Sequence, residues 1–232
     1  MPEDTPAYPA DAGAATYLLT VRGKAIPPTA EETRKLHNST AGNPAGVEAA
    51  RSLGDLSHQA FTGYGDALAG EVLFIDFWNS LSGLGQFFGN PQVEGGASQL
   101  FSSRDTPVWA AASGFGGFHL TVPSGRHVAG VGLLRATVNS LDKAADAFTA
   151  YSAATINRSR RHGIVSHSVW SRVPNPGEQP VQEVLGVDMW MDPAEMSSYY
   201  ELGLGFDNFG PVFAGAPDTS IWQSAPGDWT EW

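Results

Sequence analysis

The chain has 232 residues, 42% of them hydrophobic, enough for one sizeable core or two small ones and too many for a disordered chain. Its net charge of −11, from 24 acidic against 13 basic residues, speaks against nucleic acid as a partner, since only Arg158–His162 forms a basic run. Cysteine is absent, which removes disulfides, thiolate nucleophiles and thiolate metal sites together.

In chain order, residues 1–15 are acidic and rich in Pro and Ala and read as a flexible tail without the pattern of a signal peptide. No run of about 18 apolar residues predicts a membrane span, so a cytoplasmic protein is expected. A first unit is expected over 16–112, opening on a strand through Leu18-Leu19-Thr20-Val21-Arg22. Thr29-Ala-Glu-Glu32 has the form of a capping box, and Gly42-Asn43-Pro44 should break the helix that it starts. Residues 113–126, with Ser113-Gly-Phe-Gly-Gly117 and Pro123-Ser-Gly125, read as a joint.

The second unit is expected over 127–225. A strand at His127–Val138 leads to Ser140, which caps a helix with Leu141, Ala144, Ala145, Phe148 and Tyr151 at helical spacing. Gly163 ends that helix as the residue after its C-cap. Ile164–Arg172 and Gln182–Trp190 read as strands flanking a Pro174–Gly177 turn, and Asp192-Pro193 opens a second helix. A last strand at Thr219–Ser224 precedes a tail at 226–232.

The two units match each other. Leu56-Ser57-His58-Gln59-Ala60-Phe61 resembles Val165-Ser166-His167-Ser168-Val169-Trp170, and Leu73–Trp78 resembles Leu185–Trp190. Phe87-Phe88 falls on Tyr199-Tyr200, Asp105–Trp109 on Asp218–Trp222, and Arg22 on Arg135. Five matches in one order predict a duplicated β-α-β-β-α-β unit, an α+β chain of two tandem ferredoxin-like folds.

Strand alternation puts Leu73, Ile75 and Phe77 on one face and Asp76 with Trp78 on the other; Leu185, Val187 and Met189 oppose Asp188 and Trp190 in the same way. The apolar faces are expected beneath the helices. The polar faces, with Arg22 and Arg135, then form the walls of a cavity or a wet sheet-to-sheet interface. Asp76 and Asp188 read either as ion-pair partners of Arg22 and Arg135 or as general bases tuned by burial. His58 and His167 read as sheet histidines or as acid–base groups, and Trp78 and Trp190 as pocket walls or plain packing. No metal site is expected, because no helical His pair or His-Glu motif occurs. The Gly-rich segments are turns rather than phosphate loops, and no Gly-x-Ser-x-Gly elbow is present.

Gly163-Ile-Val-Ser-His-Ser-Val-Trp-Ser-Arg172, a turn, then Glu183-Val-Leu-Gly-Val-Asp-Met-Trp190 resembles the antibiotic biosynthesis monooxygenase type of dimeric α/β barrel. The resemblance is clearest over 128–200 and fainter over 17–90. It implies a (pseudo)dimeric barrel built by the two copies, a small-molecule ligand or substrate, and homodimerisation as a further expectation. The implied activity is a cofactor-independent monooxygenase acting on an aromatic or polyketide-like compound. A cyclase, isomerase or lyase using the same pocket, or a non-catalytic ligand-binding protein, is the alternative. On this resemblance Asp188, Asn139, Trp190 and His167 form the catalytic set, and Arg135, Arg22, Trp78, Asp76 and His58 hold the substrate. Cofactor-free oxygenases of this type use an asparagine in the first strand, for which Asn139 is the candidate, or four residues before the tryptophan, where Gly186 and Phe74 stand instead. No cofactor is expected. Haem-degrading members take a histidine from the helix after the tryptophan strand, and neither Ser80–Phe101 nor Asp192–Phe213 contains one; His162 is the loose haem candidate.

Overall fold

A computed structural model describes residues 15–120, 122, 127–203, 209 and 211–232. The chain divides into two compact units at Val108/Trp109 and again at Gln223/Ser224, so Ser224–Trp232 belongs with the N-terminal half.

The N-terminal unit runs β1 (Tyr17–Ala25), α1 (Ala30–Ser39), α2 (Pro44–Ser52), β2 (Asp55–Gly63), β3 (Glu71–Trp78), α3 (Leu81–Phe88), α4 (Pro91–Leu100) and β4 (Phe101–Asp105). The strands pair antiparallel in the order β2-β3-β1-β4, the ferredoxin-like arrangement. Thr29 caps α1 as expected, its hydroxyl accepting from the Glu32 N–H at 3.2 Å, but the Glu32 carboxylate closes back on that hydroxyl, accepting from it at 2.8 Å. The first helix does break at Gly42-Asn43-Pro44, where the Asn43 side chain caps α2 and Pro44 occupies its first turn.

The C-terminal unit contains β5 (Val108–Ala111, from Trp109 onward), β6 (Phe118–His119), β7 (Gly130–Thr137), α5 (Leu141–Arg161), β8 (Ile164–Arg172), β9 (Glu183–Trp190), α6 (Pro193–Glu201) and β10 (Asp218–Ser224). Its strands pair in the equivalent order β8-β9-β7-β10. β5 and β6 add to β8 and so cover backbone groups that an edge strand would otherwise expose. Part of the joint expected at 113–126 forms β6; residues 121 and 123–126 lie outside the described residues, as does most of the Gly-rich passage at 204–210.

The duplication extends to details of register. Arg22 pairs across the sheet with Asp105, and Arg135 with Asp218. β2 and β8 each carry a bulge, after Asp55 and after Ile164. Each bulged strand follows a glycine of positive φ, Gly54 at 103° and Gly163 at 93°, a conformation that side chains with a Cβ rarely adopt.

The parity of the strands holds, but the face beneath the helices is the opposite of the one expected. In the N-terminal unit Leu19, Val21, Ala60, Val72, Phe74 and Trp78 pack with Ala50, Leu84, Phe87 and Leu100 of the helices. In the C-terminal unit Val169, Val184 and Ala136 pack with Ala144 and Phe148, and Trp190 packs with Met196 and Tyr199. Asp76 and Asp188 therefore lie on the helix-covered side. Leu73, Ile75 and Phe77, at 0% exposure, are buried on the other side too. Burial on both faces explains why Val72–Trp78 is an almost unbroken apolar run, a pattern in which alternation shows which residues share a face but not which face the helices take.

Candidate acid–base site

The carboxylates do not pair with the arginines. Arg22 Nε donates to Glu71 at 2.7 Å, and Arg135 Nε to Glu183 at 2.6 Å, with the Arg135 guanidinium also 5.5 Å above the Trp109 ring. The reason is register. Arg135 sits opposite Leu185 and Arg22 opposite Leu73, an odd number of residues from Asp188 and Asp76, so each arginine projects from the other side of the sheet.

Each aspartate instead meets the histidine directly across the hairpin. His58 is the register partner of Asp76, with Nδ1 to Oδ1 at 2.5 Å; His167 is that of Asp188, at 2.6 Å. The bulge just before each histidine sets this pairing. Bulges re-aim side chains, and they recur beside active sites.

Around the shared dyad the two units differ. In the N-terminal unit His58 Nε2 lies 3.1 Å from His37 Nε2, within hydrogen-bond reach, and the two ring planes are within 3° of parallel with centroids 5.1 Å apart. His37 projects from α1 and continues to Asn38 Oδ1 at 3.0 Å. The rings are enclosed by Phe74, Trp229 and Trp232, the last stacked 4.6 Å from His58. Burial, together with the charge of His58, pushes the His37 imidazole down to about 4.

Asp55, at the bulge of β2, is 4% exposed. Burial first, then the Asp76 carboxylate, raises it to about 9, against the lowering effect of the Ser57 backbone N–H and the Trp232 indole, so Asp55 is a neutral acid at pH 7. Its Oδ1 has no well-formed hydrogen bond, nor has Trp232 Nε1. These groups line a partly open cavity of about 60 Å³ whose other walls are mainly apolar, among them Phe87, Phe88, Val93 and Phe101.

In the C-terminal unit Tyr200 donates to Asp188 Oδ2 at 2.6 Å, and burial plus that carboxylate raises its phenol far above the usual range. His167 Nε2 is buried without a partner beside Phe148, which stacks 6.3 Å away.

The remaining sequence-predicted residues fall outside these clusters. Trp78 and Trp190 are 0% exposed and pack under α3 and α6 against Phe87 and Tyr199. Asn139 ties the end of β7 to the carbonyls of Pro211 and Phe213, a turn-holding task. The sequence reading did not single out His37, Asn38, Asp55, Trp229 or Trp232. Thr33 and His37 are both buried one helical turn apart, a spacing visible in the sequence.

Among the described residues no group of three or more His, Asp or Glu is arranged to hold a metal ion, and no helix is long and apolar enough to cross a membrane. Nor does His162, the loose haem candidate, stand free: it caps α5 with Nδ1 3.1 Å from the Glu195 carboxylate, while His37 and His58 turn Nε2 toward each other beside a cavity far smaller than a macrocycle.

No protein-family model matches the chain, and no curated protein does. Solved structures do. An anthrone oxidase-like protein is similar at 15% identity and a TM-score of 0.63, over 92% of this chain and 94% of that one. A monooxygenase-like protein of Fusobacterium nucleatum is similar at 11% identity and 0.59, over 91% and 93%. A heme-binding protein of Thermus thermophilus is similar at 12% identity and 0.51, over 91% and 90%. These likenesses show the fold: a tandem ferredoxin-like chain of the dimeric α/β barrel class.

Proposed function

We propose that the chain is a small-molecule enzyme whose N-terminal unit moves protons on an aromatic or polyketide-like substrate, in a cofactor-independent monooxygenase reaction. The observation that carries this reading is the buried Asp76–His58–His37 relay beside a mainly apolar, partly open cavity. A positioned imidazole contributes about 10²–10⁴-fold to a proton transfer, and a carboxylate behind it fixes its orientation and stabilises its cation. Asp55, neutral at pH 7, and the Trp232 N–H supply donors for an oxygen that becomes negative as a phenol or an activated CH₂ ionises.

In the oxygenase form of the reaction the substrate anion itself reduces dioxygen. A CH₂ carbon becomes C=O and the second oxygen atom leaves as water, so no external reductant is needed. Likeness to an anthrone oxidase-like protein supports this choice of substrate class. A cavity of about 60 Å³ is well below the roughly 300–1,000 Å³ that encloses a drug-sized ligand, so the half-buried Trp232 ring must swing aside for a tricyclic substrate.

The test is dioxygen uptake with anthrone, paired with anaerobic wash-in of solvent deuterium at its CH₂ group. Uptake with quinone formation is expected. Deuterium wash-in without uptake would move the assignment to an isomerase or cyclase, and neither would remove the enzymatic reading for this substrate class.

A further inference from the structure

The direction in which the relay is loaded follows from one amide. Asn38 Nδ2 donates to the Asp228 carbonyl at 2.8 Å, and its Oδ1 accepts from the Thr230 N–H at 3.0 Å. Exchanging the two ends would set NH₂ against N–H and oxygen against oxygen, so the backbone of the 224–232 segment fixes the amide. The oxygen is therefore what faces His37 Nδ1, at 3.0 Å, and that nitrogen must carry a proton.

The chain Asp76–His58–His37–Asn38 has three links, and each needs one proton. Two neutral imidazoles bring two. With only these, His58 Nδ1 donates to Asp76, His37 Nδ1 donates to Asn38, and two bare nitrogens are left facing each other at 3.1 Å. Unpaired acceptors in a buried cluster are costly, and a third proton removes the conflict.

We propose that Asn38 is a positioning residue which obliges the Asp76–His58–His37 relay to hold one proton more than a carboxylate and two neutral imidazoles, so that the resting site is a loaded proton donor. The proton sits on His58 Nε2 and is directed at His37 Nε2. His58 is then a cation between the Asp76 carboxylate and a neutral imidazole, and the relay carries no net charge. The titratable groups facing the relay from outside it are Asp55 of β2, which burial holds neutral, and Glu231 of the C-terminal segment, whose carboxylate accepts the Ala60 N–H and is raised by burial; the His58 cation is balanced by Asp76 within the relay. Arg51 of α2 acts on Asp55, and Arg34 of α1 lies 3.9 Å from Asp228.

Use of this proton in turnover, for a substrate oxygen that gains negative charge, rests on the acid–base reading above; the proton count does not. The experiment is ¹⁵N NMR of the histidine-labelled full chain at pH 7. His58 Nε2 is expected to be protonated in the wild type, bare in Asn38→Leu, where His37 is free to move its own proton to Nε2, and protonated again in Asn38→Asp, which keeps an acceptor. A bare His58 Nε2 in the wild type overturns the proposal, and this arm needs no variant to fold. So does a His58 Nε2 that stays protonated in Asn38→Leu. If the proton is found but Asp76→Asn retains full activity, the acid–base reading fails and the proton count stands.

Discussion

Asp55 couples the site to stability. A buried acid raised from 3.8 to about 9 binds its proton more tightly in the folded than in the unfolded chain, so its contribution is fully present below pH 3.8 and is lost as pH rises toward 9. The limiting slope is about 1.4 kcal/mol per pH unit. Asp55→Asn, which cannot ionise, should therefore be more stable than the wild type at pH 8, less so at pH 5, and not at all at pH 3.5. Urea midpoints at the three values check this; a gain that is constant with pH would mean that Asp55 is not held neutral. At the same scale, Arg135 and Asp188 should show no coupling in a double-mutant cycle, since they project from opposite sides of the sheet. Arg135 and Glu183, with side chains 31% and 17% exposed, should couple by about 0.2–1 kcal/mol. The charged residues themselves stood out in the sequence, but not their pairing. His58 and Asp76 are separated by a seven-residue connection, Tyr64–Gly70, too long to fix a hairpin register, and the bulge after Asp55 shifts the count by one more.

At the scale of elements, helix ends and strand alternation were readable because caps and period-2 patterns are local. Ser140, Asp192 and Gly163 stand where the sequence placed them. The path of the C-terminal segment was not readable, because its partners lie across the whole chain: the Trp232 and His58 backbones exchange N–H···O bonds at 2.8 and 3.2 Å. Two tryptophans within four residues were the available hint, since such rings are mostly buried wherever they occur. Trp229, 8% exposed against His37 and Phe74, should cost about 3–5 kcal/mol when changed to Ala, read as a drop in denaturation midpoint. The paired glycines give a finer comparison. A Cβ on Gly163 would meet nothing nearer than 3.6 Å, whereas one on Gly54 would fall 2.2 Å from Asn79 Oδ1. Both Ala variants should lose about 1–2 kcal/mol to backbone strain, with the larger loss at Gly54. Equal midpoints for the two would show that Asn79 yields without cost.

For the whole molecule, duplication has left one dyad in two surroundings. Beside His58–Asp76 stand His37 and Asp55; the C-terminal dyad has Ile164 at the position matching Asp55, Phe148 stacked on its histidine, and a Tyr200 phenol on its carboxylate where the N-terminal unit has Phe88. Two carboxyl groups and two imidazoles on one cavity can hold and deliver a proton, whereas a tyrosine–aspartate–histidine cluster without the second imidazole lacks the relay. The proposed chemistry is therefore asymmetric and falls to the N-terminal dyad. The direct test is the rate of solvent-deuterium wash-in and dioxygen uptake with anthrone for wild type, Asp76→Asn and Asp188→Asn, at protein concentrations where all three are folded. Asp76→Asn should lose about 10²–10⁴-fold and Asp188→Asn should stay within a few-fold of wild type. Equal losses, or a loss confined to Asp188→Asn, would contradict the account.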